Sequence, residues 1–496
     1  MSHAGGLRRA GACLGAALAL GGCAGIGSKG SAREGGTIEI GVSRSLDSLD
    51  PGVAATAAAR EALWSVYTPP VTYAHTDQVK LVPGLASALP RPTEAGAGYA
   101  FKLRRGLRYS DGRPVRAADV AYALGRSRAL SGDARRIFAG VTRVVTNERT
   151  RRVRIDLRRP DPDFPHALAT TFAAPVPRST PRRDVTGRPP PGVGAYVIVR
   201  SRPGRGFTLR RNEASDLPGL PRGYVTEISA RPGGTADEAI DGRLDYVQDR
   251  PAASLLPDMR SKYRDQYSEH VGLATLALEL DARRAPLDEK GVREAVARAT
   301  DPHELAVLAH GFLEPSCNLL PPALPGYKKL DPCPGGDPEG EPDLVKASDL
   351  IESSDATAAR VTVGAPASDR RLADEVVSTL RKIDLRPRLV ARGGQVRLVR
   401  IAPLLPTATG FLSPPARSTH ADPGLVPQAV ELRREPDPDR AAQLAAELDR
   451  ALVEAPAVAP IGQEKRPALL SRRMDARNCA VFNPVYGNDW ASFCLQ

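Results

Sequence analysis

The sequence predicts a mixed α/β protein of two or three lobes, and three observations predict it. At 496 residues the chain can bury more than one core. Alternating apolar residues recur at strand spacing, as in Thr37-Ile38-Glu39-Ile40-Gly41-Val42 and Val153-Arg154-Ile155-Asp156-Leu157. Between such runs, apolar residues fall at helical spacing, as with Leu444, Leu448 and Leu452.

The first segment is not part of a fold. Arg8 and Arg9 precede a short apolar run, Ala12 to Leu20, which is too short to cross a bilayer and has signal-peptide proportions. It ends in Leu20-Gly21-Gly22-Cys23, small residues before a cysteine. Residues 1–22 therefore read as a lipoprotein signal peptide, with Cys23 as the lipidated first residue of the mature chain. Residues 23–36, rich in Gly and Ser, read as a flexible tether. The expected location is outside the cytoplasm, held to the cell membrane by the lipid on Cys23. No later segment has 18 consecutive apolar residues, so nothing else is expected to span.

Ordered structure is expected from the strand at 37–42. A loop at 45–52 follows, then a helix from Ala57 to Tyr67. Tyr99, Phe101 and Leu103 alternate as a strand, and Leu107 and Tyr109 repeat the alternation. Ser110-Asp111-Gly112 is turn chemistry. From Ala117, Val120, Ala121 and Leu124 share one helical face. Further strands are expected at 153–157, 195–199, 276–281 and 385–389, and helices at 164–172, 373–382 and 440–452.

Composition narrows the function. The net charge of +12 falls to +10 once Arg8 and Arg9 leave with the signal. The basic residues, nearly all Arg, are scattered among acids without an aromatic-interleaved patch, so no nucleic-acid partner is expected. After loss of Cys13 and lipidation of Cys23, Cys317, Cys333, Cys479 and Cys494 remain. Outside the cytoplasm they read as two disulfides, with three connectivities open. The local one closes two short loops, each worth roughly 3 kcal/mol. There is no G-x-S-x-G, S-x-x-K, H-E-x-x-H, C-x-x-C, Walker or Rossmann motif, so neither an enzyme nor a metal or cofactor site is expected. The pairs Asp161/Asp163 and Asp437/Asp439 read as capping or solvated residues.

The stretch from Tyr99 to Leu124 resembles the signature of extracytoplasmic solute-binding proteins of family 5, the oligopeptide- and dipeptide-binding type. Tyr99, Phe101, Leu103, Arg104, Gly106, Ser110, Asp111, Gly112, Pro114, Val115, Ala117, Asp119 and Val120 match. Tyr109 replaces a Phe and Arg116 a Thr. A Thr would cap the helix with Asp119; Arg116 cannot, so a weaker helix start is expected. Looser matches follow in order through Leu81–Ala86, Gly192–Tyr196, Arg211-Asn212, Pro286–Val296, Pro325-Gly326-Tyr327 and Cys479–Pro484.

The resemblance implies a two-lobed, periplasmic-binding-protein-like α/β fold of the large peptide-binding class, with an extra subdomain in lobe I. Lobe I would span 37–271 with the subdomain at about 65–185, lobe II 272–459, and 460–496 would return to lobe I. Function would be capture of peptides or a similar elongated solute by lobe closure, and delivery to an ABC permease with its ATPases, by a monomer without cofactor. The alternative is a fold-retaining sensor or envelope-interaction lipoprotein without transport. Asp50, Trp64, Asp281 and Arg283 are the ligand-cleft candidates. Where the family supplies a Trp and an Asp near a Pro-containing loop, residues 398–425 hold no Trp and no acid before Asp422.

Overall fold

A computed structural model describes residues 34–418 and 424–496. Cys13, Cys23, Asp422 and most of the tether lie outside them. Among the described residues no helix is long and apolar enough to cross a membrane.

In chain order the main elements are β1 (Thr37–Val42), α1 (Ala57–Trp64), β2 (Arg91–Thr93), β3 (Gly98–Lys102), α2 (Ala117–Leu130), β4 (Val141–Asn147), β5 (Arg152–Leu157) and α3 (Phe164–Ala167). Then come β6 (Tyr196–Arg202), β7 (Gly206–Arg211), β8 (Glu227–Pro232), β9 (Tyr246–Val247), β10 (Tyr267–Leu280) and α4 (Lys290–Ala299). The last are β11 (Arg360–Gly364), α5 (Arg370–Lys382), β12 (Arg386–Val390), β13 (Val396–Ile401), α6 (Ala408–Ser418), α7 (Leu425–Arg434), α8 (Pro438–Glu454) and β14 (Val458–Leu470).

One mixed sheet of eleven strands runs through both lobes in the order β12-β11-β13-β10-β14-β9-β1-β8-β7-β6, with Leu313–Pro315 pairing β14. β1 runs parallel to β8 and β9, and Ile38 and Ile40 are fully buried, as their alternation predicts. Ile38 and Leu63 pack with Trp490 and Phe493 in the core around β1. A second core gathers Leu278, Val292, Val361, Leu380 and Leu398 around β11 and β13. The separate sheet β2-β3-β5-β4 forms the subdomain. Its buried Phe101, Val153 and Ile155 pack with Val120 of α2, and that core continues into Leu320, Phe411 and Leu448. A backbone bond from Val79 N–H to Ala323 O (3.1 Å) reinforces the contact. Ala32–Gln496 form one compact unit by their internal contacts.

Three details revise or resolve the expectations. The strand expected at 276–281 is fourteen residues long, because its first half carries polar residues such as Glu269 and His270 that hide the alternation. The helix expected at 164–172 is one short turn followed by a 3-10 turn at Thr171–Ala173. Of the three disulfide connectivities the local one is present, Cys317–Cys333 and Cys479–Cys494.

The helix start at Arg116 is also corrected. Asp119 Oδ2 accepts from Arg116 N–H (2.9 Å) and from the Tyr109 hydroxyl (3.0 Å). Glu148, in the turn after β4, takes the role of the missing Thr. Its two carboxylate oxygens accept from Ala117 N–H (3.1 Å) and Ala118 N–H (2.8 Å), in the positive field of the helix N-terminus. The start is capped from a distant turn and is not weakened. At its other end α2 is locked by Arg126, whose guanidinium meets Asp50 in a bidentate pair (2.7 and 2.5 Å) with both side chains almost fully buried.

Glu148→Ala should therefore cost about 1 kcal/mol in urea unfolding, whereas Arg116→Ala should leave the midpoint unchanged. Asp50→Ala, which strands a buried guanidinium, should cost about 3–5 kcal/mol in the same measurement.

Candidate ligand cleft

A cavity of about 840 Å³ lies between the α2–β5 region and the segment that follows β13. One wall comes from the turn after β5. There Asp161 and Asp163 flank Pro162. Asp163 N–H donates to Asp161 Oδ1 (3.2 Å), which sets the two carboxylates side by side. The facing wall is the segment Val399–Pro415, and Glu279 and Val458 lie where β10 and β14 pass beneath. Ile137, Val399, Ile401 and Leu405 make the lining largely apolar.

The sequence reading of the pair as capping or solvated residues holds for Asp161, which accepts from the backbone two residues on, and is overturned for Asp163. Asp163 makes no side-chain cap on α3. Its carboxylate instead meets the hydroxyls of Thr407 and Thr409 across the cavity. Burial first, and then the neighbouring Asp161 charge, raise it to about 6; the two threonines and Arg433 pull the other way. Burial also raises Asp161. Thr407 Oγ1 accepts from Gly410 N–H (3.1 Å), so the hydroxyl that meets Asp163 also caps the start of α6. Ser413 Oγ, in the same lining, is buried without a hydrogen-bond partner. By contrast Asp437 caps α8 as expected, accepting from Arg440 N–H (2.8 Å). The acid missing from 398–418 is thus met from the subdomain, some 240 residues earlier in the chain.

A second cavity of about 290 Å³ opens beside α1 and the bend of β10. Glu61 is buried there and accepts from Tyr246 (2.8 Å), Gln248 (3.1 Å) and Trp490 Nε1 (3.2 Å). Burial raises its pKa against these donors. A chain of charges joins the two cavities. Asp369 holds Arg400 (2.9 Å), Arg400 pairs with Glu464, and Glu464 lies 3.8 Å from Arg250. Arg400 lines the larger cavity; Glu464 and Arg250 line the smaller.

The four residues singled out in the sequence are scattered. Asp50 is consumed by Arg126 and also accepts from Val185 N–H (3.1 Å), and it lines neither cavity. Trp64 stacks on Tyr486 (4.2 Å between centroids) and borders a space of only about 30 Å³ with His75 and Asp489. Asp281 and Arg283 are brought together only with each other (3.0 Å) just past β10, and line neither large cavity. Sequence reasoning missed Asp161, Asp163 and Arg433. The one available signal was Asp-Pro-Asp directly after a strand.

Comparison with known proteins agrees with this architecture. Residues 80–392 match the profile "Bacterial extracellular solute-binding proteins, family 5 Middle". The chain is similar to the probable ABC transporter periplasmic-binding protein SapA of Escherichia coli (24% identical over 276 residues) and the probable peptide ABC transporter periplasmic-binding protein y4tO of Sinorhizobium fredii (26% over 283 residues). Each match takes in 50% of this chain, and the chain spans about half the length of these relatives. Among solved structures, clavulanic acid biosynthesis oligopeptide binding protein 2 superposes with a TM-score of 0.81 at 22% identity, covering 94% of this chain and 96% of the other. The periplasmic murein tripeptide binding protein MppA, in its unliganded open form, gives 0.77 at 17% identity, covering 94% and 98%. With the profile spanning more than half of its length, the chain belongs to the bacterial extracellular solute-binding proteins of family 5.

Proposed function

We propose that this protein captures an elongated, peptide-like solute outside the cytoplasm and passes it to an ABC permease, with the lipid on Cys23 holding it at the membrane. The observation that carries this reading is the cavity of about 840 Å³, roomy and mainly apolar, walled by two parts of the chain that a hinge can separate. The proposed division is lobe I at 37–271, lobe II at 272–459 and a return to lobe I at 460–496. Closure turns on β10 and β14, the two strands that cross between the halves of the sheet. A ligand that touches both walls binds the closed form better and so draws the equilibrium toward it. The names of its relatives, peptide and oligopeptide binders among them, support a peptide-like cargo.

The electrostatics narrow that cargo. Among the described residues Arg433 is the cation whose charge acts on both Asp161 and Asp163, and the two carboxylates side by side leave room for a second positive charge at that wall. A protonated amine on the ligand fits it, while apolar groups lie along Val399, Ile401 and Leu405.

Calorimetry with tri- to pentapeptides tests this reading. Free-amine peptides should bind and N-acetylated ones should bind about 30-fold more weakly; Asp163→Asn should impose a similar loss on the free amines alone. Equal binding of both peptide sets to the unaltered protein would sink the assignment. The pH dependence has a defined sign. Asp163 is raised in the free protein, so its contribution to stability is full below pH 4 and is lost as pH rises through about 6. An amine needs the ionised form, so its affinity should fall about tenfold per unit below pH 6, and Asp163→Asn should flatten that profile.

A further inference from the structure

We propose that the outer face of the subdomain sheet is a docking surface for an anionic phospholipid bilayer. Residues 91–160 hold eighteen Lys and Arg against six Asp and Glu, a net +12, which equals the formal net charge of the whole chain. Five of these basic residues, Arg91, Lys102, Arg143, Arg152 and Arg154, look scattered along the sequence because they fall on outward positions of four different strands. Folding gathers them.

β3 turns Tyr99 and Phe101 inward and Lys102 outward; β5 turns Val153 and Ile155 inward and Arg152 and Arg154 outward. Register carries the pattern across the sheet. Arg91 and Arg154 oppose Ala100, Arg152 opposes Lys102, and Arg143 opposes Asp156. Arg154 is neutralised by Glu94 and Asp156. Arg91, Lys102, Arg143 and Arg152 have no ion-pair partner among the described residues.

The Lys102–Arg152 pair is the telling one. Like charges directly opposite on neighbouring strands destabilise a sheet. Charges that merely block edge pairing belong on edge strands. In the order β2-β3-β5-β4 these two strands are the inner ones, so edge protection does not account for the pair.

A four-stranded face about 15 Å across suits a flat partner. It offers no helix for a nucleic-acid groove and no aromatic ring for base stacking. An anionic membrane supplies the complementary charge, at about a fivefold gain in partitioning for each basic residue near its surface. If Cys23 carries a lipid, the fourteen residues of 23–36 keep the domain within about 45 Å of that membrane.

The test uses residues 32–496, which form one compact unit and carry no anchor. Sedimentation is measured with vesicles of phosphatidylcholine alone and with about 30% phosphatidylglycerol, at about 50 and about 300 mM NaCl. Binding should occur on the anionic vesicles and be lost at the higher salt. The triple variant K102Q/R143Q/R152Q should reduce partitioning about 100-fold, with Tm unchanged or raised and peptide affinity in the cleft unchanged. Equal partitioning of variant and parent, or binding to phosphatidylcholine alone, would overturn the proposal. So would a DNA duplex that competes for the same residues at equal affinity, since the face would then be a general polyanion site. A failed vesicle result leaves peptide binding intact, and a failed peptide result leaves vesicle binding intact.

Discussion

The antiparallel pairing of β10 with β14 is the constraint on which the remaining architecture depends. The two strands lie side by side from Tyr267–Leu469 to Glu279–Val458. At one end β14 joins β9 and through it β1; at the other, β10 joins β13. Between Val271 and Thr275 the register shifts. Such an irregularity bends a strand and increases its twist, which lets one ladder serve two differently oriented half-sheets. Buried polar groups hold the bend. The Thr275 hydroxyl donates to Leu319 O (2.7 Å), and Gln463 Nε2 donates to Asn318 O (3.1 Å). Asp449 fixes the same loop by accepting from Asn318 Nδ2 (2.8 Å) and Leu319 N–H (2.9 Å). Each partner lost here would leave a buried group unsatisfied, so the network specifies one geometry.

Charge in this molecule is sorted by burial. Arg126 and Asp50 are taken out of water together and pay for it with a bidentate fit and further backbone bonds. Asp161 and Asp163 are partly desolvated without such a partner, and their raised pKa values record that cost. The same residue type therefore serves as a clamp in one place and as an unmet demand for a cation in the other. Sequence position gives no hint of the difference, because the deciding neighbours are remote in the chain.

That remoteness explains what was legible. Strand β1, helix α2 and helix α8 were legible because their periodicity is local. The disulfides close loops of sequence separation 16 and 15, short enough for the local pairing to be natural. The family resemblance placed these pieces in a known frame. The pairing of Asp50 was not legible because Arg126 lies 76 residues away, nor that of Asp163 because Thr407 lies far beyond that. The helix cap from Glu148 was invisible for the same reason: it crosses from one hairpin turn to a helix thirty residues earlier. Half of β10 escaped notice since Ser268, Glu269 and His270 stand in succession and break the alternation before the bend.

The chain's two ends meet in one core, and that sets an order of events. Trp490 and Phe493 pack against Ile38 and Leu63. Trp490 also donates to Glu61, 429 residues earlier, and Arg473 reaches the carbonyl of Thr37 across 436 residues. Loop closure over such spans comes late, since its entropy must be overcome before the contacts reward it. The first strand to emerge during synthesis thus cannot complete its hydrophobic surroundings until the last few residues arrive. Until then the core around β1 stands open to water, and Trp490 and Phe493 act as its keystone.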